Sequence, residues 1–240
     1  MIKAKVMRGI VGLALVGGFI VQVPAQGQHE AVSQPLQQRI AEIKQSVAAS
    51  KASLKQYAWT EITEVSLKGE VKKREQKECH YGPDGTVQKT ALGGSGEDGG
   101  KRGLKGKIVE KKKAELKDYM DRFNSLIRRY LPPDSERMKA AFQSGKASLD
   151  QSQNGAASLV FKDYVKTGDT VNLTFDTTAK KIRSYDVWSY LDKPEDSANL
   201  SVRFNSLPDG TNYVEETLMD ATGKQIQIKV TNFDYRKTGH

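Results

Sequence analysis

Residues 198–233, "ANLSVRFNSLPDGTNYVEETLMDATGKQIQIKVTNF", decide the fold. Apolar and polar side chains alternate in three runs, which are 198–206, 211–219 and 224–233. Two turn segments separate these runs, Leu207-Pro-Asp-Gly210 and Asp220-Ala-Thr-Gly223. Alternation is typical of strands, and short segments with Pro, Asp and Gly favour tight turns. The stretch therefore predicts three consecutive strands of an antiparallel meander.

The same alternation continues toward the N-terminus. It predicts further strands at 57–67, 70–81, 86–90, 157–165, 169–176 and 181–191. Within each strand of the C-terminal half the apolar residues share one face, as Leu200, Val202 and Phe204 do. A sheet of about nine strands with one apolar face must close on itself, pack on another layer or be covered by helices.

Two helical segments are available as that cover. Residues 33–56 have apolar side chains near helical spacing, with Ser33 as a cap and Pro35 in the first turn. A helical hairpin over 107–145 is inserted between the strands; Pro132-Pro133 ends its first helix and Asp134 caps its second. We therefore predict an α+β fold, a curved antiparallel sheet covered by an N-terminal helix and an inserted helical hairpin.

The chain ends and its middle have distinct compositions. Residues 1–25 combine early lysines with an apolar run and small residues before Ala25, which indicates a signal peptide cleaved after Ala25 and a periplasmic or secreted product. We expect 26–240 to form a single domain. Its segment 91–106 holds seven glycines and is predicted to be a mobile loop.

Positive charge is concentrated in one half of the mature chain. Residues 26–149 carry 24 Lys and Arg against 16 Asp and Glu, whereas 150–240 carry 11 against 13. The strongest cluster consists of Lys105, Lys107, Lys111, Lys112 and Lys113. It is either a solvated helix face or a contact for an anionic membrane surface. Nucleic acid is a less favoured partner outside the cytoplasm.

Motifs for catalysis or metal binding are weak. Gly94-Ser-Gly96-Glu-Asp-Gly99 has dinucleotide-loop spacing but lacks the strand-to-helix context, and its two acids would repel phosphate. The single cysteine, Cys79, and His80 are adjacent, so on a strand they point to opposite faces and suit neither one metal nor a nucleophile and its base. We predict no enzyme activity, no metal and no cofactor.

The stretch "VKKREQKECHYGPDG", residues 71–85, joins many charges to a turn signal. Charged or polar side chains fall on both faces of the predicted strand, so the strand suits a sheet edge, where Lys and Arg discourage pairing with other chains. We interpret it as a charged hairpin closed by Gly82-Pro-Asp-Gly85. Its remaining functional hypothesis is a surface for an anionic partner.

The order of segments resembles the bacterial lipoprotein-carrier group, the Lol-type carriers and their periplasmic sensor relatives. The resemblance rests on the signal, the first helix, the Tyr57-Ala-Trp59-Thr60 strand and the closing run "SLPDGTNYVEETLMDATGKQIQIKVTNFDY", and it covers about 33–90 and 157–235. It implies an unclosed half-barrel with a cavity for acyl chains or another apolar ligand. It transfers no individual functional residue.

Aromatic side chains recur at alternating positions of the predicted strands. They are Trp59, Phe161, Phe175, Trp188 and Phe204. These residues are either core or the lining of a cavity between sheet and helices. The first functional hypothesis is a non-enzymatic binding protein for a lipid or lipoprotein acyl chain. The alternative is a cell-envelope protein-interaction module that uses the basic hairpin and helix.

Overall fold

A computed structural model describes residues 27–93, 104–151 and 155–238 of the chain, with side chains at 41–93, 114–150 and 155–238. The predicted signal peptide lies outside the described residues, as does most of the predicted glycine-rich loop. In the described part of the chain, no helix is both long and apolar enough to cross a membrane.

The chain forms one ten-stranded sheet. Its strands are β1 (Tyr57–Leu67), β2 (Glu70–Tyr81), β3 (Val87–Ala91), β4 (Ala147–Gln151), β5 (Ala156–Lys162), β6 (Thr170–Asp176), β7 (Lys181–Tyr190), β8 (Ser197–Ser206), β9 (Asn212–Ala221) and β10 (Ile226–Lys237). Their order in the sheet is β3-β2-β1-β10-β9-β8-β7-β6-β5-β4, with every neighbouring pair antiparallel. Because β3 and β4 lie at opposite ends of this order, the sheet is unclosed.

One strand was not predicted. β4 pairs with β5 in a register that sets Leu149 opposite Leu159. Its five residues, Ala-Ser-Leu-Asp-Gln, hold too few apolar side chains to show alternation, so the pairing with β5 supplies what the local sequence does not. The prediction of about nine strands was therefore short by one.

Three helices accompany the sheet: α1 (Gly27–Leu54), α2 (Leu104–Ile127) and α3 (Ser135–Gln143). α1 begins six residues before its predicted start at Ser33. The cap of α3 is as predicted, since the Asp134 carboxylate accepts hydrogen bonds from the backbone N–H groups of Glu136 (2.9 Å) and Arg137 (3.3 Å).

The helices cover the apolar face of the sheet. α1 packs on β7 and β9, α2 on β8, and α3 on β4 and β5. The register carries one apolar row across four strands, through Val187, Leu200, Met219 and Ile228. The first two of these side chains are fully buried in a core shared with α2 and α3. The predicted α+β fold with a helix-covered antiparallel sheet is confirmed.

Candidate functional site

A cavity of about 460 Å³ lies between the sheet, α1 and the α2–α3 connection. The lining side chains are Ile43, Lys44, Val47, Ala48, Leu131, Pro132, Pro133, Ser135, Met138, Leu173, Ile182, Tyr185, Val202, Phe204, Val214 and Thr217. Most of them are hydrocarbon or aromatic. The helices therefore do not fill the whole space above the sheet, and the surface they leave uncovered is apolar.

The floor of the cavity comes from β6 to β9, with Leu173, Tyr185 and Val202 buried at its base. Two register shifts border it, one between Thr174 and Phe175 and the other between Arg203 and Phe204. Such shifts bend a strand and re-aim its side chains. After the second shift Phe204 stands opposite Val214, and both side chains face the cavity.

One wall is a face of α1. Ile43, Lys44, Val47 and Ala48 follow the i, i+1, i+4, i+5 spacing that brings helical side chains to one side. Ile43 is buried, whereas the Val47 side chain remains 44% exposed. An apolar side chain with that exposure at the edge of an apolar cavity marks the mouth, because nothing in the described chain covers it.

The opposite wall is Leu131-Pro132-Pro133, continued by Ser135 and Met138 of α3. Leu131 is 40% exposed and forms the other side of the mouth. Proline lacks a backbone N–H, so this segment lines an apolar space with fewer unsatisfied donors than an ordinary loop would have. Met138 closes the wall from below, where it is buried.

A buried hydrogen-bond network fixes this second wall. The Tyr130 hydroxyl donates to the Asp169 carboxylate (2.6 Å), and its oxygen also lies 2.8 Å from that of Ser189. The Asp169 carboxylate further accepts from the backbone N–H groups of residues 164, 165 and 166. The Tyr185 hydroxyl donates to the Tyr130 carbonyl (2.9 Å). Buried carboxylates require such partners, so the residue preceding Leu131 is firmly placed.

Burial raises the pKa of two tyrosines in this network. The pKa of Tyr130 lies well above its ordinary value. The main cause is the loss of water around its hydroxyl, and the second is the hydrogen bond to Asp169. Burial also raises the pKa of Tyr185. Both hydroxyls therefore stay protonated and act as hydrogen-bond donors over the physiological pH range.

Few polar groups face the cavity. They belong to Lys44, Ser135, Thr217 and Tyr185, and the Tyr185 hydroxyl is already engaged by Tyr130. No carboxylate is among the lining residues that the structure describes. The arrangement provides apolar surface with a few convergent polar groups, the usual composition of a small-molecule binding pocket. It provides no acid–base pair near a candidate nucleophile within the described lining.

Of the five aromatic residues proposed from the sequence, Phe204 is in this lining and the other four are not. Phe161 is fully buried between Phe142 and Tyr164, with ring centroids 5.4 and 5.9 Å away. Phe175 is buried beside Ile43 in a crevice with no room for water. These two side chains belong to the packed core.

The two tryptophans lie elsewhere. Trp59 is buried in a separate aromatic cluster, where it stacks on Tyr235 at 5.5 Å and its indole N–H donates to Asn232 (3.1 Å). Trp188 is 50% exposed, because Tyr185 and Val187 take the buried face of β7 and the alternation turns position 188 outward. The sequence therefore grouped five aromatics that the fold distributes over four environments.

The sequence predicted a cavity between sheet and helices but named no lining residue on the helical side. The apolar stripe of the first helix did include Ile43 and Val47, and Leu131 stands immediately before two prolines, so a weak signal was present. The side chains of Lys105, Lys107, Lys111, Lys112 and Lys113 lie outside the described residues, although their backbone belongs to α2.

The charged hairpin is an edge structure with its charges paired. β3 is exposed throughout and pairs only with the end of β2, residues 77–81. Each cation of β2 lies beside a carboxylate; the pairs are Lys72–Glu70, Lys73–Glu75, Arg74–Glu64 and Lys77–Glu75. This pairing leaves little unbalanced positive charge to attract an anionic partner.

Cys79 is fully buried and free, and burial raises the pKa of its thiol. The interpretation of Cys79 as a small packed side chain agrees with this environment. Within the described residues, no group of three or more His, Cys, Asp or Glu side chains is arranged to hold a metal ion.

Comparison with known proteins gives one distant structural similarity. The crystal structure of the LolA superfamily protein NE2245 from Nitrosomonas europaea is similar over 82% of this chain and 94% of that chain, with a TM-score of 0.34 and 9% sequence identity. No protein-family model matches the chain, and no curated protein matches it. What the cavity binds must therefore be argued from its own residues.

Proposed function

We propose that this protein binds a lipidic or other apolar chain in the cavity between the sheet and α1, without forming a covalent bond to it. The observation that carries the proposal is a 460 Å³ apolar space with an open mouth. Its volume falls in the range of about 300–1,000 Å³ that is usual for small-molecule sites. Phe204 is kept as a proposed ligand contact, because the other four aromatic residues lie outside this lining.

Binding would draw its free energy from the burial of hydrocarbon. Transfer of apolar surface from water contributes about 25 cal/mol per Å², or about 0.8 kcal/mol for each methylene group. A ligand in this cavity would also cover Val47 and Leu131, whose apolar side chains otherwise face water. A single acyl chain suits a space of this volume, which α1 borders on one side and Pro132-Pro133 on the other.

We further propose that the chain acts in the periplasm or after secretion, as one domain that carries or senses its ligand. The support is the sequence of residues 1–25, with its lysines, apolar run and small residues. A lipid carrier outside the cytoplasm needs a covered apolar site for a molecule that water does not dissolve. The cavity meets that requirement.

Ala48 offers a direct test, because it lines the cavity whereas its neighbour Ala49 does not, and both are exposed on α1. Ala48→Trp should block the space and weaken binding of a neutral probe, dodecanol, by at least about tenfold, which corresponds to the loss of roughly two buried methylene groups. Ala49→Trp should bind as the original protein does. Isothermal titration calorimetry measures both.

Equal affinity in Ala48→Trp and the original chain would contradict the proposal, and so would an equal loss in both tryptophan variants. A second measurement uses the protein purified from cells without detergent. Mass spectrometry should detect co-purified lipid in the original chain and less in Ala48→Trp.

One observation supports the second candidate function, binding to another protein of the envelope. Residues 70–75 of β2 extend beyond β3, so no strand in the described part of the chain pairs with this edge, and Val71 is 57% exposed beside it. A partner strand could add there by main-chain hydrogen bonds. Crosslinks concentrated at 70–90 or 107–130 would support this function, and none of them should depend on Ala48.

A further inference from the structure

We infer that the ligand of the cavity is a single-chain amphiphile with an anionic head, a carboxylate or phosphate, which lies against Lys44. This inference rests on the proposed function, because it assigns the head group of the molecule whose apolar chain the cavity would hold. Nothing in the sequence singled out this lysine.

Lys44 is the one charged side chain in the lining that the structure describes. It lies on α1 between Ile43, which is buried against the sheet, and Val47, which is largely exposed at the mouth. The residue is itself exposed, so its amine can stay hydrated while its methylene stem follows the apolar wall. An ammonium group at the mouth of an apolar cavity attracts a negative head once the tail is inside.

Lys44 forms no ion pair with a carboxylate in the described chain, and acids on the elements that border the cavity have partners of their own. Glu42 pairs with Lys180 at 3.4 Å, and Glu216 pairs with Lys229 at 2.6 Å. Asp134 caps α3. Among the described residues, therefore, no acid is paired with the positive charge of Lys44.

The other polar groups of the cavity agree with an anionic head. Ser135 and Thr217 provide hydroxyl groups, which can donate hydrogen bonds to an oxyanion, and no described lining residue provides a carboxylate that would repel one. A cationic head would meet the Lys44 ammonium and no compensating acid in the described lining. The cavity thus selects the head group by its charge at the mouth and the tail by hydrocarbon burial inside.

Four probes with the same twelve-carbon chain test the inference by calorimetry: dodecanoate, dodecyl phosphate, dodecanol and dodecyltrimethylammonium. We expect the two anions to bind about fivefold more tightly than dodecanol, since an exposed ion pair contributes modestly, and the cation to bind most weakly. Lys44→Gln should bring dodecanoate to the affinity of dodecanol, and Lys44→Glu should make the cation the preferred probe. Lys51→Gln is the matched control, because Lys51 is exposed on α1 and absent from the lining.

The outcomes separate the two proposals. If all four probes fail to bind, the proposed function is wrong and the inference is wrong with it. If dodecanol binds as tightly as the anions, or if Lys44→Gln keeps their advantage, only the inference is wrong. A difference between dodecanoate and dodecyl phosphate would assign the head as a carboxylate or a phosphate. Increased salt should reduce the advantage of the anions but leave dodecanol binding unchanged.

Discussion

Phe161 and Phe204 show how the position of a single side chain separates stability from binding. Both are aromatic residues on the apolar face of the sheet. Phe161 is enclosed by Phe142 and Tyr164, whereas Phe204 follows a register shift and faces the cavity. Replacing a core phenylalanine by alanine removes contacts within the protein. Replacing a lining phenylalanine removes mainly contacts with the ligand.

We therefore predict that one alanine variant mainly loses stability and the other mainly loses binding. Phe161→Ala should lower the free energy of unfolding by about 3–5 kcal/mol, because it removes a fully buried ring. Phe204→Ala should lower it less and should weaken dodecanol binding by about tenfold through lost apolar contact. Urea unfolding and calorimetry of each variant measure the two effects. Similar stability losses in both variants would show that Phe204 also belongs to the packed core.

At the scale of elements, α3 matters because it carries Ser135 and Met138 into the cavity wall. Its nine residues are too few to be stable alone, so its end must be supported from outside. Asp134 provides that support with a side-chain cap, while the Asp134 backbone N–H donates to the Tyr164 hydroxyl at 2.8 Å. The cap therefore stabilises part of the binding wall.

Asp134→Ala should lower the free energy of unfolding by about 1 kcal/mol, the usual cost of a lost N-cap. Because the wall becomes less ordered, dodecanol binding should weaken as well. Lys139→Ala is the control, since Lys139 is exposed on the same helix and forms no ion pair within the described chain. Urea denaturation curves compare the two, and an equal loss in the control would contradict the role of the cap.

The elements were largely predictable and the site was not. Period-two patterns such as Leu200, Val202 and Phe204 are local, so nine of the strands and the cap at Asp134 could be read from the sequence. The cavity depends on the register shifts at 174–175 and 203–204, which arise from pairing between strands. β4 depends likewise on its pairing with β5, whereas the outward turn of Trp188 follows from the alternation within its own strand.

For the whole molecule, the helices cover the sheet unevenly, and the cavity is the space they leave. Its volume limits how much hydrocarbon it can bury. For linear alcohols, each added methylene group should tighten binding about fourfold while it still enters the apolar space, and further groups should add nothing once the space is full.

Calorimetry with alcohols of increasing length should therefore show a steady gain in affinity followed by a plateau. Ala48→Trp should reach its plateau at a shorter chain, whereas Ala49→Trp should follow the original protein. A gain that continues without limit would indicate adsorption to an open surface instead of entry into a bounded cavity.

The two walls of the cavity differ in how firmly they are attached, and this difference concerns the kinetics of ligand exchange. The wall after Tyr130 is fixed to the sheet through Asp169 and Tyr185 by buried hydrogen bonds. α1 is joined to the sheet by the buried side chain of Ile43 and by polar contacts near the surface. There Glu42 pairs with Lys180, and the Ser50 hydroxyl oxygen accepts a hydrogen bond from the backbone N–H of Asn212. Exposed ion pairs contribute little, so displacement of α1 is the less costly motion. Dissociation of a bound chain should therefore proceed past α1, at a rate that depends on the stability of this helix on the sheet.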